Sequence, residues 1–260
     1  MAPGHKAPCA TSVRLTAHSS GEAPVSAASV ECCVVVPAHD EAELIGRTLA
    51  SLRTAAATAR IAPRVIVVAD ACTDSTAVIA HRSGAEVVEI DARNVGAARR
   101  AGFEHLLGPA SAVGDPTDSA GSALWLATTD ADSTVPSTWF SRHLAYRASG
   151  ADLVAGTVVL EPGPAIDPLH ERWTSAYSLK IEAGRHHHIH GANLGFTAQA
   201  YRALGGFSAL ALHEDVDLVQ RAAASGLSVA WALDIPVATS RRTHGRSPGG
   251  FSDDLKAMVP

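Results

Sequence analysis

Short apolar runs alternate with longer stretches of mixed character along this chain. Cys33-Val34-Val35-Val36 and Val65-Ile66-Val67-Val68 have the length and continuity of strands buried on both faces. After the first, Leu44, Ile45, Leu49 and Leu52 recur at helical spacing. Asp40, with Glu43 three residues on, predicts that this helix starts with an Asp-type capping box. A second helix is expected from about Ser75 to Gly84, then a strand over Glu86–Ile90 and a helix over Asn94–Leu107. The run Ala123–Ala127 predicts a strand leading to Asp130, and Pro136 suits the first turn of a helix that ends before Gly150. Leu153–Leu160 reads as a strand, after which the order loosens. Helices are expected over Pro168–Glu182, Thr197–Leu204 and Glu214–Ala224, with strands over Ala192–Phe196 and Ser228–Leu233. This alternation predicts an α/β fold: a mixed, mostly parallel sheet with helices on both faces.

The periodic region bounds one domain over residues 30–245, regular from 30 to 132 and mixed from 133 to 245. Residues 1–29 are rich in Ala, Ser, Pro and Gly and contain no apolar block, so they read as a disordered leader rather than a signal peptide. Gly108–Ser122 reads as a surface insertion. The basic, Gly-rich chain after Ser240 reads as a flap ending in a flexible tail over 246–260.

Composition narrows the function classes. Hydrophobic residues make up 47% of the 260, enough for a sizeable core. The formal net charge of -5 lacks the basic footprint of a nucleic-acid binder. No stretch approaches the roughly 18 apolar residues of a membrane span. Cys9, Cys32, Cys33 and Cys72 have no metal-type spacing and fit the reduced thiols of a cytoplasmic protein. Peripheral membrane contact through a lipid substrate stays open, as does a homodimer.

The first candidate chemistry is Asp130-Ala131-Asp132, just past a predicted strand. In extended backbone, residues two apart share a side, so both carboxylates would be presented together. Like charges so placed favour protonation of one unless a cation neutralises them, and a hard divalent ion carrying substrate phosphates is a natural partner. The alternative is an acidic step that merely marks a turn. Ligands in open α/β sheets collect at the carboxyl ends of strands. Pro37–Glu41, Asp70, Asp130 and Asp132 all fall at such ends.

Taken in order, these residues resemble the family 2 glycosyltransferases, which have the GT-A fold, a Rossmann-related nucleotide-sugar-binding architecture. Val34–Glu41 is similar to the opening of that family, Val67–Thr76 to its second signature and Asn94–Arg99 to its third. Asp130-Ala131-Asp132 is similar to its metal-binding D-x-D. Gly191–Phe196, Gly205-Gly206-Phe207 and His213–Leu218 are similar to its acceptor-side signatures. The resemblance implies a metal-dependent enzyme that moves one sugar from a UDP- or GDP-sugar to a hydroxyl of a small-molecule, lipid or glycan acceptor, with inversion. Residues 30–132 would form the nucleotide-sugar half and 133–245 the acceptor half.

The resemblance also assigns roles. Pro37, Ala38, His39, Glu41 and Asp70 would meet base and ribose; Asn94, Gly96 and Arg99 would approach the nucleotide or its diphosphate. Asp132 would ligate Mn2+ or Mg2+ directly, with Ala131 leaving room, and Asp130 would touch ribose or reach the metal through water. Gly191, Ala192 and Asn193 would face the sugar and acceptor. Asp215 would be the general base, with Glu214 orienting it or raising its pKa. His244 would add to the metal site, although no Q-x-x-R-W box is recognisable, and Arg241, Arg242 and Arg246 could clamp phosphates. Simpler roles stand beside several of these: a helix cap for Asp40 or Asp74, an exposed helix cation for Arg99, a dipole-favoured first turn for Glu214 and Asp215. His186, His188 and His190 would share one side of an extended segment, as adventitious or acceptor-site imidazoles or as a zinc site. A sugar-nucleotide nucleotidyltransferase is disfavoured by the lack of a Gly-rich loop with Arg and Lys at Pro37–Glu41. A non-catalytic nucleotide-sugar-binding protein is disfavoured by Asp215.

Overall fold

The computed structural model describes residues 30–108, 124–164, 166–243, 245 and 251–259. The leader, most of the predicted insertion, His244 and Arg246 lie outside the described residues. In chain order the elements begin β1 (Glu31–Ala38), α1 (Ile45–Ala59), β2 (Arg64–Asp70), α2 (Thr76–Arg82), β3 (Glu86–Ile90) and α3 (Val95–Leu107). They continue with β4 (Leu124–Thr128), β5 (Ser133–Thr134), α4 (Trp139–Ala148), β6 (Leu153–Leu160) and α5 (Pro168–Ser178). A hairpin of β7 (Ile181–Glu182) and β8 (Arg185–His186), a 3-10 turn (Gly191–Asn193) and β9 (Leu194–Thr197) follow. Last come α6 (Ala198–Ala203), α7 (Glu214–Ala224), β10 (Val229–Thr239) and α8 (Phe251–Met258).

Eight strands form one sheet in the order β3-β2-β1-β4-β9-β6-β10-β5. The β3-β2-β1-β4 run is parallel throughout, and β6 is parallel to β10. Between these blocks β9 runs antiparallel to both β4 and β6, and β5 caps the β10 edge antiparallel. The expected mixed, mostly parallel sheet is therefore present. Its continuous apolar strands feed both faces, because side chains alternate across a strand. Cys32, Val34 and Val36 pack with α1 residues Leu49 and Leu52 and with Trp139 and Phe140 of α4. Cys33 and Val35 face the opposite way, onto Phe103 of α3 and Leu218 of α7. There Phe103, Phe196, Tyr201 and Phe207 interlock, with ring centroids 4.8–6.1 Å apart. Each such pair adds about 0.5–1.5 kcal/mol to the burial of its rings.

Three local expectations change. Asp40 adopts a left-handed backbone (φ 50°), and its carboxylate accepts the N–H groups of Thr73 at 2.7 Å and Asp74 at 3.2 Å. Its side chain thus joins two loops instead of capping α1, whose first turn hangs from the Glu41 carbonyl. The helix expected to reach Glu182 stops at Ser178. Ala183 (φ 49°) and Gly184 (φ 75°) then make the left-handed turn of the β7–β8 hairpin. The tail expected to be flexible carries α8, whose Leu255 is fully buried beside Trp173 of α5.

Two histidines, the fully buried His143 and the cavity-lining His190, set an acid limit on this fold. Burial holds His143, between Trp125 and Trp139, down at about 4, and holds His190 down at about 3. Both values lie below the ordinary value of 6.5. The unfolded chain therefore takes up these protons first, and stability present above pH ~6.5 is lost as pH falls toward the folded values. Urea unfolding at pH 7.5 and 4.5 should show His143 alone costing about 2–3 kcal/mol. His143→Gln should flatten the slope by that share; an unchanged slope would count against the assignment.

Candidate active site

The carboxyl ends of β1, β2 and β4 open with the 3-10 turn and the start of α7 onto a cavity of about 810 Å³. Pro37, Ala38, His39, Glu41, Asp70, Asn94, Arg99, Asp130, Ala131, Asp132, Gly191, Ala192, Glu214 and Asp215 all line it, so most of the sequence-predicted set is brought together. Gly96 and Asn193 are not on its wall.

The acidic step is a turn rather than extended chain: Ser133 N–H donates to the Asp130 carbonyl at 3.2 Å. The two carboxylates consequently take different cations. Asp130 accepts from Arg99 Nη2 at 2.5 Å, and Asp132 accepts from Arg242 Nη2 at 2.7 Å. Arg242 also grips Glu41 with both terminal nitrogens, at 2.9 and 2.7 Å. Ala131 is buried, and its carbonyl accepts the Thr48 hydroxyl at 2.7 Å, which fixes the turn on α1.

Arg99 is not the exposed helix cation of the simpler alternative; it lines the cavity while paired within the protein. It is 2% exposed, donates to the Thr128 hydroxyl at 3.3 Å, pairs with Glu214 as well as Asp130, and lies 5.8 Å from the centre of the Phe207 ring. Burial alone would lower its pKa, but the Glu214, Asp130 and Asp215 carboxylates overcompensate and raise it. Asp130 is pushed up to about 6, chiefly by burial and further by Asp132, Glu214 and Asp215, with Arg99 opposing. Glu214 is also raised by burial. A cavity wall on which Glu41, Asp130, Asp132, Glu214 and Asp215 share two guanidiniums has surplus negative charge. Its Glu41, Asp130, Asp132 and Glu214 carboxylates are held by two different arginines, Arg99 and Arg242.

Several of these residues also have partners within the protein. Asp70 accepts the N–H groups of Ala92, Arg93 and Asn94 at 2.7–2.8 Å, and its carbonyl accepts from His39 Nδ1 at 2.6 Å. Asp74 receives the Thr76 N–H at 2.9 Å at the start of α2, in keeping with a capping role. Asn94 caps α3 through the Ala97 N–H at 2.8 Å. Gly96 sits against the 208–210 loop, where a Cβ would lie 2.6 Å from the Leu210 carbonyl oxygen. Asn193 is a buried hub that donates to the Thr157 and Ile235 carbonyls and accepts from Trp139 Nε1.

Asp215 has different partners from those expected. Its carboxylate accepts the Gly191 N–H at 2.7 Å and its neighbour Val216's N–H at 2.8 Å, while Glu214 turns away to Arg99. The 3-10 turn therefore orients Asp215. Gly191 is required here because a Cβ would fall on the Arg99 guanidinium.

His186, His188 and His190 do line up on one side of their segment, with successive ring centroids 6.0 and 5.9 Å apart. Tyr177 stacks on His188 at 3.5 Å, and the Tyr177 hydroxyl accepts the Val158 N–H and meets His190 Nε2 at 3.0 Å. His186 and His188 donate to the Ala232 and Tyr177 carbonyls. Among the described residues, the group whose metal-type ligand atoms all come within 4.8 Å is instead Asp40, Cys72 and Asp74. Sequence reasoning missed Arg93, Lys180 and Phe251, which also line the cavity. Arg93, at the carboxyl end of β3, was the one a strand-end search could have found.

This sheet and its strand-end cavity define a GT-A glycosyltransferase architecture. Glycosyl transferase family 2 matches residues 33–204, and the chain belongs to that family. No curated protein matches it. Among solved structures, it is similar to a mannosyltransferase, PcManGT, from Pyrobaculum calidifontis in complex with GDP-Man and Mn2+. The TM-score is 0.59 and the identity 19%, covering 83% of this chain and 58% of that one. It is also similar to residues 1–349 of S. aureus TarS in complex with UDP (TM-score 0.57, 14% identity, 81% of this chain and 60% of that one). The chain thus spans about three fifths of each of these relatives. Among the described residues no helix is long and apolar enough to cross a membrane.

Replacing Arg99 by Met would leave Asp130 and Glu214 uncompensated. Urea unfolding at neutral pH should then show a loss of about 3–5 kcal/mol. A variant within about 1 kcal/mol of the parent would mean the pair is close to neutral in stability.

Proposed function

We propose that this chain moves one sugar from a nucleotide-diphosphate sugar to an acceptor hydroxyl, with inversion and with Asp215 as the general base. The observation that carries the reading is that Asp215 and the Asp130–Asp132 turn face one cavity from separate elements, α7 and the end of β4. An acceptor hydroxyl and a donor diphosphate can therefore be held at once. Solved relatives bound to GDP-Man with Mn2+ and to UDP support a GDP- or UDP-sugar donor.

Asp215 is held by the Gly191 N–H and partly open to the cavity, where it can accept the acceptor's proton as the hydroxyl attacks the anomeric carbon. Gly191 and Ala192 form the wall beside it and set the acceptor's approach. Pro37, Ala38 and His39, with the loop organised by Asp70, form the side suited to base and ribose. Asp132, with Asp130 beside it, would hold Mn2+ or Mg2+, which when bound supplies positive charge to the departing diphosphate.

Asp215→Asn should lower turnover by about 10²–10⁴-fold while leaving donor binding intact. Near-parental turnover would remove Asp215 from the role. In calorimetry, UDP- and GDP-sugars should bind with Mn2+ and lose affinity on chelation. Absence of metal-dependent binding for both would overturn the donor assignment.

A further inference from the structure

Arg242 occupies a position that the reaction described above does not account for. The antiparallel pairing of β5 with β10 sets Ser133 opposite Thr239, and their hydroxyls hydrogen bond at 3.2 Å. Asp132, just before β5, and Arg242, just after β10, are therefore fixed side by side by the sheet. Arg241 anchors this exit from the sheet by pairing with Asp167 and donating to the Glu161 carbonyl. Its neighbour Arg242 points the other way, into the cavity, and spans Glu41 and Asp132. Burial would lower its pKa, and Glu41 and Asp132 together raise it. Its Nε is buried with no partner among the described residues, so its bonding is carried by the two outer nitrogens.

We propose that Arg242 is a built-in counter-ion that competes with the divalent cation for Asp132, and that nucleotide diphosphate resolves the competition by taking the guanidinium. This rests on Asp132 being a metal ligand, as set out above. Arg242 holds Asp132 Oδ2, and Oδ1 meets the Ser133 hydroxyl at 3.5 Å; a divalent cation on this carboxylate would sit beside the guanidinium, and their repulsion favours the departure of one. Neutralising Asp132 from within keeps the acidic wall compact before donor arrives, at the cost of weak affinity for metal alone. When metal and diphosphate arrive together, the displaced fork has a new anionic partner whose geometry it matches in bidentate fashion. Metal and nucleotide binding are thereby coupled, each raising the affinity for the other.

The coupling makes one substitution act in opposite directions. Binding of Mn2+ alone to the full chain, followed by calorimetry or electron paramagnetic resonance, should tighten on the order of ten-fold in Arg242→Gln. Binding of UDP or GDP at saturating Mn2+ should weaken by a similar factor in the same variant. Arg242→Lys keeps the charge without the fork and should fall between. Unchanged or weakened Mn2+ binding in a folded Arg242→Gln, checked by circular dichroism, would overturn the competition. A general structural defect would weaken both ligands instead of splitting them. Asp132→Asn separates the underlying reading: if it leaves Mn2+ binding intact, Asp132 is not the ligand and both ideas fail. If it abolishes Mn2+ binding while Arg242→Gln changes nothing, only the counter-ion role fails.

Discussion

The site is organised around one buried guanidinium. Arg99 leaves α3 and meets Thr128 and Asp130 at the end of β4 and Glu214 at the start of α7, so one planar group joins both halves of the cavity wall. Its permanent charge compensates the buried Glu214 and the more open Asp130, and its fixed plane dictates their positions. The Gly191 turn must have no side chain because Arg99 fills that space, and that turn in turn holds Asp215. A buried ion pair is weak evidence for added stability, since desolvation offsets most of the attraction. Its consequence here is geometric: the acidic turn and the candidate base are located relative to one another through a single side chain.

The strands and helices were legible because buried strands and amphipathic helices write themselves as apolar periodicity. Val34–Val36, Ile66–Val68 and Glu214–Ala224 lie where that pattern puts them. The clustering of strand-end residues was legible for a topological reason, since parallel strands deliver their carboxyl ends to one side. What the pattern could not reveal is the partner of each polar side chain. Asp40, Asp70, Asn94 and Asn193 carry the same letters whether they meet a ligand or the backbone, and here backbone N–H groups engage the first three and backbone carbonyls engage Asn193. Spacing also misled at Asp130–Asp132, where a two-residue step implied a shared side only if the chain stayed extended. Glu214 and Asp215 show a related limit. Adjacent residues on a helix do not face each other, so their carboxylates find separate partners.

The histidine segment is held by packing on one side and lines the cavity on the other. Alternation along extended chain does bring His186, His188 and His190 into register, as the sequence implied. The rings are then held by Tyr177 and by main-chain carbonyls, and burial keeps His190 uncharged beside the Tyr177 hydroxyl. His187, His188 and His190 also line the cavity, so the segment forms part of its wall beside Ala192.

One further consequence follows from the antiparallel β9 at the middle of the sheet. It is made late in the chain, yet it is the strand that covers the exposed edge of β4 and receives β6. The parallel block synthesised first therefore emerges from the ribosome with an open, apolar edge, and closes only once roughly seventy further residues have been made. A fragment ending at β4 would leave unpaired the edge that β9 covers in the whole sheet.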